Sequence, residues 1–435
     1  MVAAATAWTI GLIAPARPDA TPQTARPERF GMTIAQDPNV LPASTRAPGA
    51  AGAAPGRTDI LVIGAGPAGL AVAGCLVQRG LRPLVLERAG QLAASWRGHY
   101  ERLHLHTVKA LSALPGLPFP DHFPRYVPRQ ALVDYLVAYA ERHAITPRLD
   151  EEVVAITPTP SGWQTSTRSG ATYDSRVVVV ATGANCKPVV PVFEGQAHYG
   201  GRIVHSHGYR NAAPFAGQHV LVVGMGNTGA EIALDLTERG VRAALSVRSP
   251  MNIVHRDVLG RPTQVTSIAL AKLPTAWGDA IARVFRDLTV GDLRRWGIQT
   301  SAVSPLRQLR EFGKTPVIDV GTLERIKRGE IVVHPGIERF TPTGVRFVDG
   351  TEEPFDTVIL ATGYEAQLQH LFPATPLATD ANGMPLDVIG QGALAGVYFV
   401  GFDIRQPGGL LRAISAQAQR VAQATAAGPN GVAAP

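Results

Sequence analysis

Short runs of β-branched and aliphatic residues recur along the chain, and helical stretches separate them. That alternation is the signature of strand–helix–strand units built around parallel sheets. Buried strands are predicted at Ile60–Ile63, Pro83–Leu86, Val177–Val180, Val220–Val223, Ala243–Val247, Thr357–Leu360 and Val397–Val400. Helices are predicted over Pro67–Gly80, from Leu323 to Arg328 and from Gly409 to about Ala424. Before Thr58 the pattern vanishes. Residues 1–57 are rich in Ala, Pro, Thr and Arg and carry neither period, so they and residues 426–435 are expected to be disordered tails. Met32 is an alternative natural start within that stretch.

The pattern contains an internal duplication. Gly64-Ala65-Gly66-Pro67-Ala68-Gly69 is followed by Leu76, Arg79 and Gly80, and Gly224-Met225-Gly226-Asn227-Thr228-Gly229 by Leu236, Arg239 and Gly240, at identical spacing. Each copy follows a predicted strand and opens a predicted helix, the context that turns a glycine pattern into a dinucleotide fingerprint. Gly64 and Gly224 permit the tight turn. Gly66 and Gly226 let the backbone approach a pyrophosphate, and Gly69 and Gly229 let helix and strand pack closely. The helix N-terminus then attracts the phosphates.

The strand after the first copy ends in Glu87, placed to accept hydrogen bonds from an unphosphorylated adenosine ribose. After the second copy no acid stands at that place, and Arg248-Ser249 follows; a guanidinium there selects a 2′-phosphate. FAD is therefore expected on the first turn and NADPH on the second. Two Ala-Thr-Gly turns, Ala181-Thr182-Gly183 and Ala361-Thr362-Gly363, each end an apolar strand and read as chain crossings between two domains. The expected fold is α/β, with two Rossmann-like domains and the NADPH domain inserted into the FAD domain. Residues 58–210 and 331–425 form the FAD domain, and 211–330 the NADPH domain.

Composition narrows the function classes. The chain has 435 residues, more than one domain requires. Its 41 Lys+Arg against 34 Asp+Glu give +7, but the basic residues are scattered, which argues against nucleic acid and suits a protein holding anionic dinucleotides. Cys75 and Cys186 are the only cysteines, both in apolar stretches that read as core. No disulfide framework, Cys-rich metal site or redox-active cysteine pair is possible, and no metal is expected. No apolar run reaches the length of a membrane span and Trp8–Ala14 is no signal peptide, so a cytoplasmic protein without stable membrane insertion is expected.

Further stretches stand out, and several of them have no role in generic dinucleotide binding. They are Tyr199-Gly200-Gly201-Arg202-Ile203-Val204-His205-Ser206-His207-Gly208-Tyr209, Arg102-Leu103-His104-Leu105-His106 with Lys109, Pro118 to Pro124, Lys314 to Thr322, and Ala361 to Tyr364. On these, from about residue 58 to 420, the chain resembles the flavin-containing monooxygenases and, within them, the plant YUCCA-type indole-3-pyruvate monooxygenases. Tyr199 departs from the family's usual Phe. His106 agrees with the YUCCA branch, where animal members carry Asn.

The resemblance implies that NADPH reduces FAD, that oxygen forms a flavin C4a-(hydro)peroxide, and that an arylpyruvate such as indole-3-pyruvate is oxidatively decarboxylated to indole-3-acetate. An N- or S-oxygenase, a Baeyer–Villiger enzyme, or a non-oxygenating flavoprotein reductase or redox sensor are the alternatives. Substrate and O2 are the expected partners of a monomer or homodimer. Asn227, His106 and Lys109 are the catalytic candidates, and Lys109 and Arg412 the candidate cations for a substrate carboxylate. The cofactor-binding set extends to Pro67, Ala68, Arg88, Trp96, His106, Thr182, Gly183, Asn227, Thr228, Thr362 and Gly363. Gly401 and Asp403 are placed near the FAD ribityl chain, with the helix from Gly409 pointing its N-terminus at the flavin ring. For His205, Asp319 and Thr322 the structural reading is preferred, capping in the case of the last two. Trp277 and Trp296 are possible substrate-side aromatics, with core packing preferred.

Overall fold

The computed structural model describes residues 56–427. In chain order the first part comprises β1 (Gly56–Ile63), α1 (Pro67–Val77), β2 (Leu84–Leu86), α2 (Ala94–Arg97), α3 (Arg129–Arg142), β3 (Val153–Thr159), β4 (Gly162–Thr167), β5 (Thr172–Val180) and β6 (Lys187–Pro188). Then follow β7 (Arg202–His205), β8 (His219–Val223), α4 (Asn227–Glu238), β9 (Arg242–Ser246), β10 (Ile253–His255), β11 (Asp257–Val258), β12 (Arg261–Pro262), α5 (Thr263–Leu270), α6 (Thr275–Val290), α7 (Pro305–Phe312), β13 (Val317–Asp319) and α8 (Thr322–Lys327). The last part holds β14 (Ile331–His334), β15 (Ile337–Phe340), β16 (Gly344–Phe347), β17 (Glu352–Pro354), β18 (Thr357–Leu360), β19 (Tyr364–Glu365), β20 (Val397–Phe399) and α9 (Leu410–Ala427). Every predicted strand is found, to within a few residues.

Two sheets carry the fold. In the first, the order is β2-β1-β5-β4-β3, with β20 also on β5. The β1, β2, β5 and β20 pairings are parallel, while β3 and β4 form an antiparallel extension of β5. The second sheet, β14-β9-β8-β18-β7, is parallel throughout. Both strand faces of a parallel sheet are covered, which is why the C-terminal halves of β1 and β5, and β8 and β18, read as apolar runs. Ala68 to Leu76 of α1 are all buried. Leu70, Val72 and Leu76 sit at 0% exposure, and each such side chain contributes about 1.5–3 kcal/mol.

The Ala-Thr-Gly turns lead into the two crossings. After Gly183 the chain passes from the first sheet to the second through β6, and after Gly363 it returns through β19. These two strands pair antiparallel, Tyr364 with Pro188 and Glu365 with Lys187. Val189 N–H donates to the Gly363 carbonyl at 3.0 Å, and the Thr362 hydroxyl to the Val189 carbonyl at 2.5 Å.

Sheet membership moves the expected boundaries at 210 and 331. Strands β7, β14 and β18 belong to the second sheet, because β18 inserts between β8 and β7. The second unit thus extends from the β6 crossing to the β19 crossing. The fold also begins before Thr58, with Gly56 and Arg57 paired to Tyr173 and Asp174, and α9 runs on to Ala427. The remainder of the expected tails, residues 1–55 and 428–435, lies outside the described residues.

Candidate functional site

The two glycine turns have the same geometry. Gly64 and Gly224 adopt φ +104° and +97°, a region that favours glycine. A Cβ at Gly69 would lie 1.8 Å from the Gly64 carbonyl oxygen, and one at Gly229 1.9 Å from that of Gly224. A Cβ at Gly66 or Gly226 would meet no atom within 4 Å. Neither α1 nor α4 has a side-chain cap, so each presents its first amide groups over open space. Thr182 Oγ1, beside the first turn, is buried without a hydrogen-bond partner. The residues present therefore fit a dinucleotide at each turn.

Glu87 is buried, its Oε2 accepting from Ala65 N–H at 2.7 Å and its Oε1 from Ala89 N–H at 3.0 Å. It ties the turn to the end of β2. The backbone fixes its counterpart: Gly64 N–H donates to Leu86 and Gly224 N–H to Ser246, so buried Val247 takes the place of Glu87 and Arg248 that of Arg88. Arg248 is exposed and makes no hydrogen bond or ion pair; Ser249 is exposed beside it. Gly401 stands over the start of α1, where its Cβ would be 3.1 Å from that of Ala68, and its N–H donates to Gln417. Asp403 turns to the Arg405 N–H and guanidinium. Trp96 packs against the core of the first unit and meets His99 edge-on.

A cleft of about 420 Å³ opens between residues 102–126 and the second unit, lined by Arg102, His106, Arg125, Tyr126, Glu231, Arg256 and others. At its base Glu231, only 3% exposed, accepts from His106 Nε2 at 2.5 Å and the Tyr100 hydroxyl at 3.2 Å. Burial and the neighbouring Glu231 hold Tyr100 well above the ordinary phenol range, so it remains a donor. Arg102 forms a bidentate pair with Glu238, its Nη1 3.9 Å from Glu231. Arg256 lies 4.0 Å over the Tyr126 ring, and its buried Nε makes no hydrogen bond but stands 3.6 Å from Asp257 Oδ2. Asp257 accepts from Tyr126 and Arg125 alongside. Gln264 of α5 fastens the rim, accepting from Val108 N–H and donating to the Gly408 carbonyl.

Other expected residues are occupied elsewhere. Lys109 Nζ donates to the carbonyls of Pro120, Asp121 and Phe123; it fixes that loop and is no free cation. Arg412 is exposed and donates to the Pro407 carbonyl. Asn227 is neither cap nor open donor: its Oδ1 accepts from Ile318 N–H and its Nδ2 donates to Pro316, clamping β13 to α4. His205 accepts from His207 N–H and packs on Tyr364, a structural role. Asp319 accepts from Leu323 N–H at the start of α8, as preferred, whereas Thr322 does not cap but donates to the Ala230 carbonyl. Cys75 is buried, but Cys186 is only half-buried; burial raises both thiols, Cys75 to about 11. Trp296 packs on the core of the second unit. Trp277 is 69% exposed and corrects the expectation of core packing. Glu231, Arg256 and Gln264 were not legible: a Glu inside an amphipathic helix, an Arg after a strand and a Gln carry no spacing that marks them.

Two dinucleotide-binding units joined by a double crossing define the class, an oxidoreductase built for two dinucleotides. The model of the flavin-binding monooxygenase-like family matches residues 57–376. The chain is 39% identical over 363 residues to the indole-3-pyruvate monooxygenase YUCCA4 of Oryza sativa subsp. japonica, covering 79% of this chain and 83% of that protein. It is 38% identical over 377 residues to the indole-3-pyruvate monooxygenase YUCCA6 of Arabidopsis thaliana, covering 84% and 89%. A flavin-containing monooxygenase from Stenotrophomonas maltophilia has the same fold at TM-score 0.66 and 22% identity, covering 85% of this chain and 98% of that one. The chain belongs to the flavin-binding monooxygenase-like family, and it is a flavin-dependent monooxygenase of YUCCA type.

Proposed function

We propose that the protein uses FAD on its first glycine turn and NADPH on its second to convert an arylpyruvate, such as indole-3-pyruvate, into the acid one carbon shorter and carbon dioxide. Its YUCCA relatives are named for that keto acid. The observation that carries the reading is the cleft, where guanidinium groups, Tyr126 and the His106–Glu231 pair line one space. When bound, FAD reduced by NADPH supplies the activation of molecular oxygen. For each keto acid one O2 and one NADPH are consumed; one oxygen atom enters the new carboxylate and the other leaves as water.

The chain's own residues orient and exclude. Arg256 and Arg125, each already beside Asp257, take the substrate carboxylate through their remaining guanidinium donors, in place of the expected Lys109 and Arg412. Tyr126 offers an aromatic wall. The Glu231 carboxylate accepts from His106 Nε2–H and fixes the orientation of the ring. Val247 removes the acid that would repel a 2′-phosphate, and Arg248 is free to pair with it.

A substrate panel tests the reading. FAD-loaded protein is given NADPH in air with indole-3-pyruvate, trimethylamine, a thioether or cyclohexanone, and the oxygenated products are identified. Product from the keto acid alone is expected. Product from the amine, thioether or ketone instead would replace the substrate assignment, and flavin reduction with no oxygenated product would make the protein a reductase.

A further inference from the structure

The outward face of α6 is apolar, and no described residue covers it. Trp277, Ile281, Val284 and Leu288 are 69%, 41%, 57% and 80% exposed, and Leu273, just ahead of the helix, is 42% exposed. Spacings of four, three and four residues draw one stripe along a helix. Gly278, Ala282, Arg286 and Val290, on the other side, are buried against the protein. The charges near the stripe are sorted by sign. Both carboxylates of α6 are neutralised, Asp279 by Arg310 at 2.7 Å and Asp287 by Arg286 at 2.6 Å. Lys272 and Arg283 are exposed and make no hydrogen bond or ion pair.

We propose that this face docks on an anionic lipid surface, with the stripe at the boundary of headgroups and acyl chains and Lys272 and Arg283 on the headgroup phosphates. Charge complementarity selects that partner. Trp277, at one end of the stripe, is a residue type that settles at such a boundary. A second copy of the chain fits less well. The stripe presents on the order of 500 Å², short of the roughly 800 Å² each partner contributes to a stable dimer. No described helix is long and apolar enough to cross a membrane, so the contact is one helix face deep.

The test is sedimentation of the full-length, FAD-loaded protein with vesicles of phosphatidylcholine alone or mixed with phosphatidylglycerol. Binding to the mixed vesicles, reversed by salt, is expected. The double variant Trp277→Ser/Leu288→Ser weakens it on the order of tenfold or more, and Arg283→Glu weakens it too, while NADPH oxidation stays at the wild-type rate. Failure to pellet with the mixed vesicles overturns the proposal, as does pelleting that the double variant leaves unchanged. A wild-type dimer in light scattering that the double variant splits assigns the face to a second copy instead.

Discussion

His106 and Glu231 stand 125 residues apart in the chain and meet at 2.5 Å across the junction of the two units. The histidine comes from a loop packed on the first sheet, and the carboxylate from the first turns of the helix that follows the second glycine turn. Their contact therefore forms only when both units are in place. Glu231→Gln keeps the shape and an acceptor but loses the charge that orients the imidazole. It is expected to lower kcat/KM roughly tenfold to a hundredfold with a small change in Tm. Nitrogen NMR should show His106 moving from one tautomer to a mixture. An unchanged tautomer with unchanged kinetics would leave the pair as packing only.

Arg248 decides between the two nicotinamide cofactors. Because it is exposed and unpaired, Arg248→Ala is expected to leave Tm alone and raise KM for NADPH roughly tenfold to a hundredfold, the worth of a hydrogen bond to a charged group. KM for NADH should hardly move. Equal losses for both cofactors would place the 2′-phosphate elsewhere.

The glycines of the second turn separate binding from folding. Gly226 has φ −77° and open space around its Cβ position, so Gly226→Ala should fold, retain FAD and lose reduction by NADPH. At Gly229 the added methyl meets the Gly224 carbonyl at 1.9 Å. Gly229→Ala is expected to cost about 3 kcal/mol or more, read as a fall in Tm.

Burial holds His99 and His205 at about 4, below their ordinary 6.5. Between those values the unfolded chain binds protons that the folded chain does not, so stability falls as pH drops from about 6.5 towards 4. Each lowers stability at pH 5, relative to pH 7, by on the order of 1 kcal/mol after solvent screening. His255, raised by its hydrogen bond to Asp319, works the other way: its contribution is present below 6.5 and fades as pH rises through its raised value. Burial also lowers His143, His219 and His334, so the depressed histidines outweigh the raised one and Tm should be lower at pH 5 than at pH 7. His99→Phe should flatten the slope between them.

The duplicated turns, the strands that carry them and the crossings were legible because each rests on local rules: glycine where the backbone demands it, apolar runs where both faces are covered. Strands β3 and β4 were not, since alternating Thr, Gln and Trp in a half-buried antiparallel ribbon give weak periodicity. β7 and β14 are short strands whose place depends on tertiary pairing. The cleft was legible only at His106 and through the family resemblance. Its partner Glu231 sits among Ala230, Ile232 and Ala233 with nothing local to mark a buried charge, and Lys109 read as a free cation because its carbonyl partners come from a loop.

The central claim is tested most directly by one ratio. FAD-loaded protein is mixed with NADPH and indole-3-pyruvate in air, and NADPH oxidised, indole-3-acetate formed and hydrogen peroxide released are measured together. The account predicts nearly one acetate per NADPH with little peroxide. NADPH oxidation that yields peroxide while the keto acid is recovered intact would contradict it.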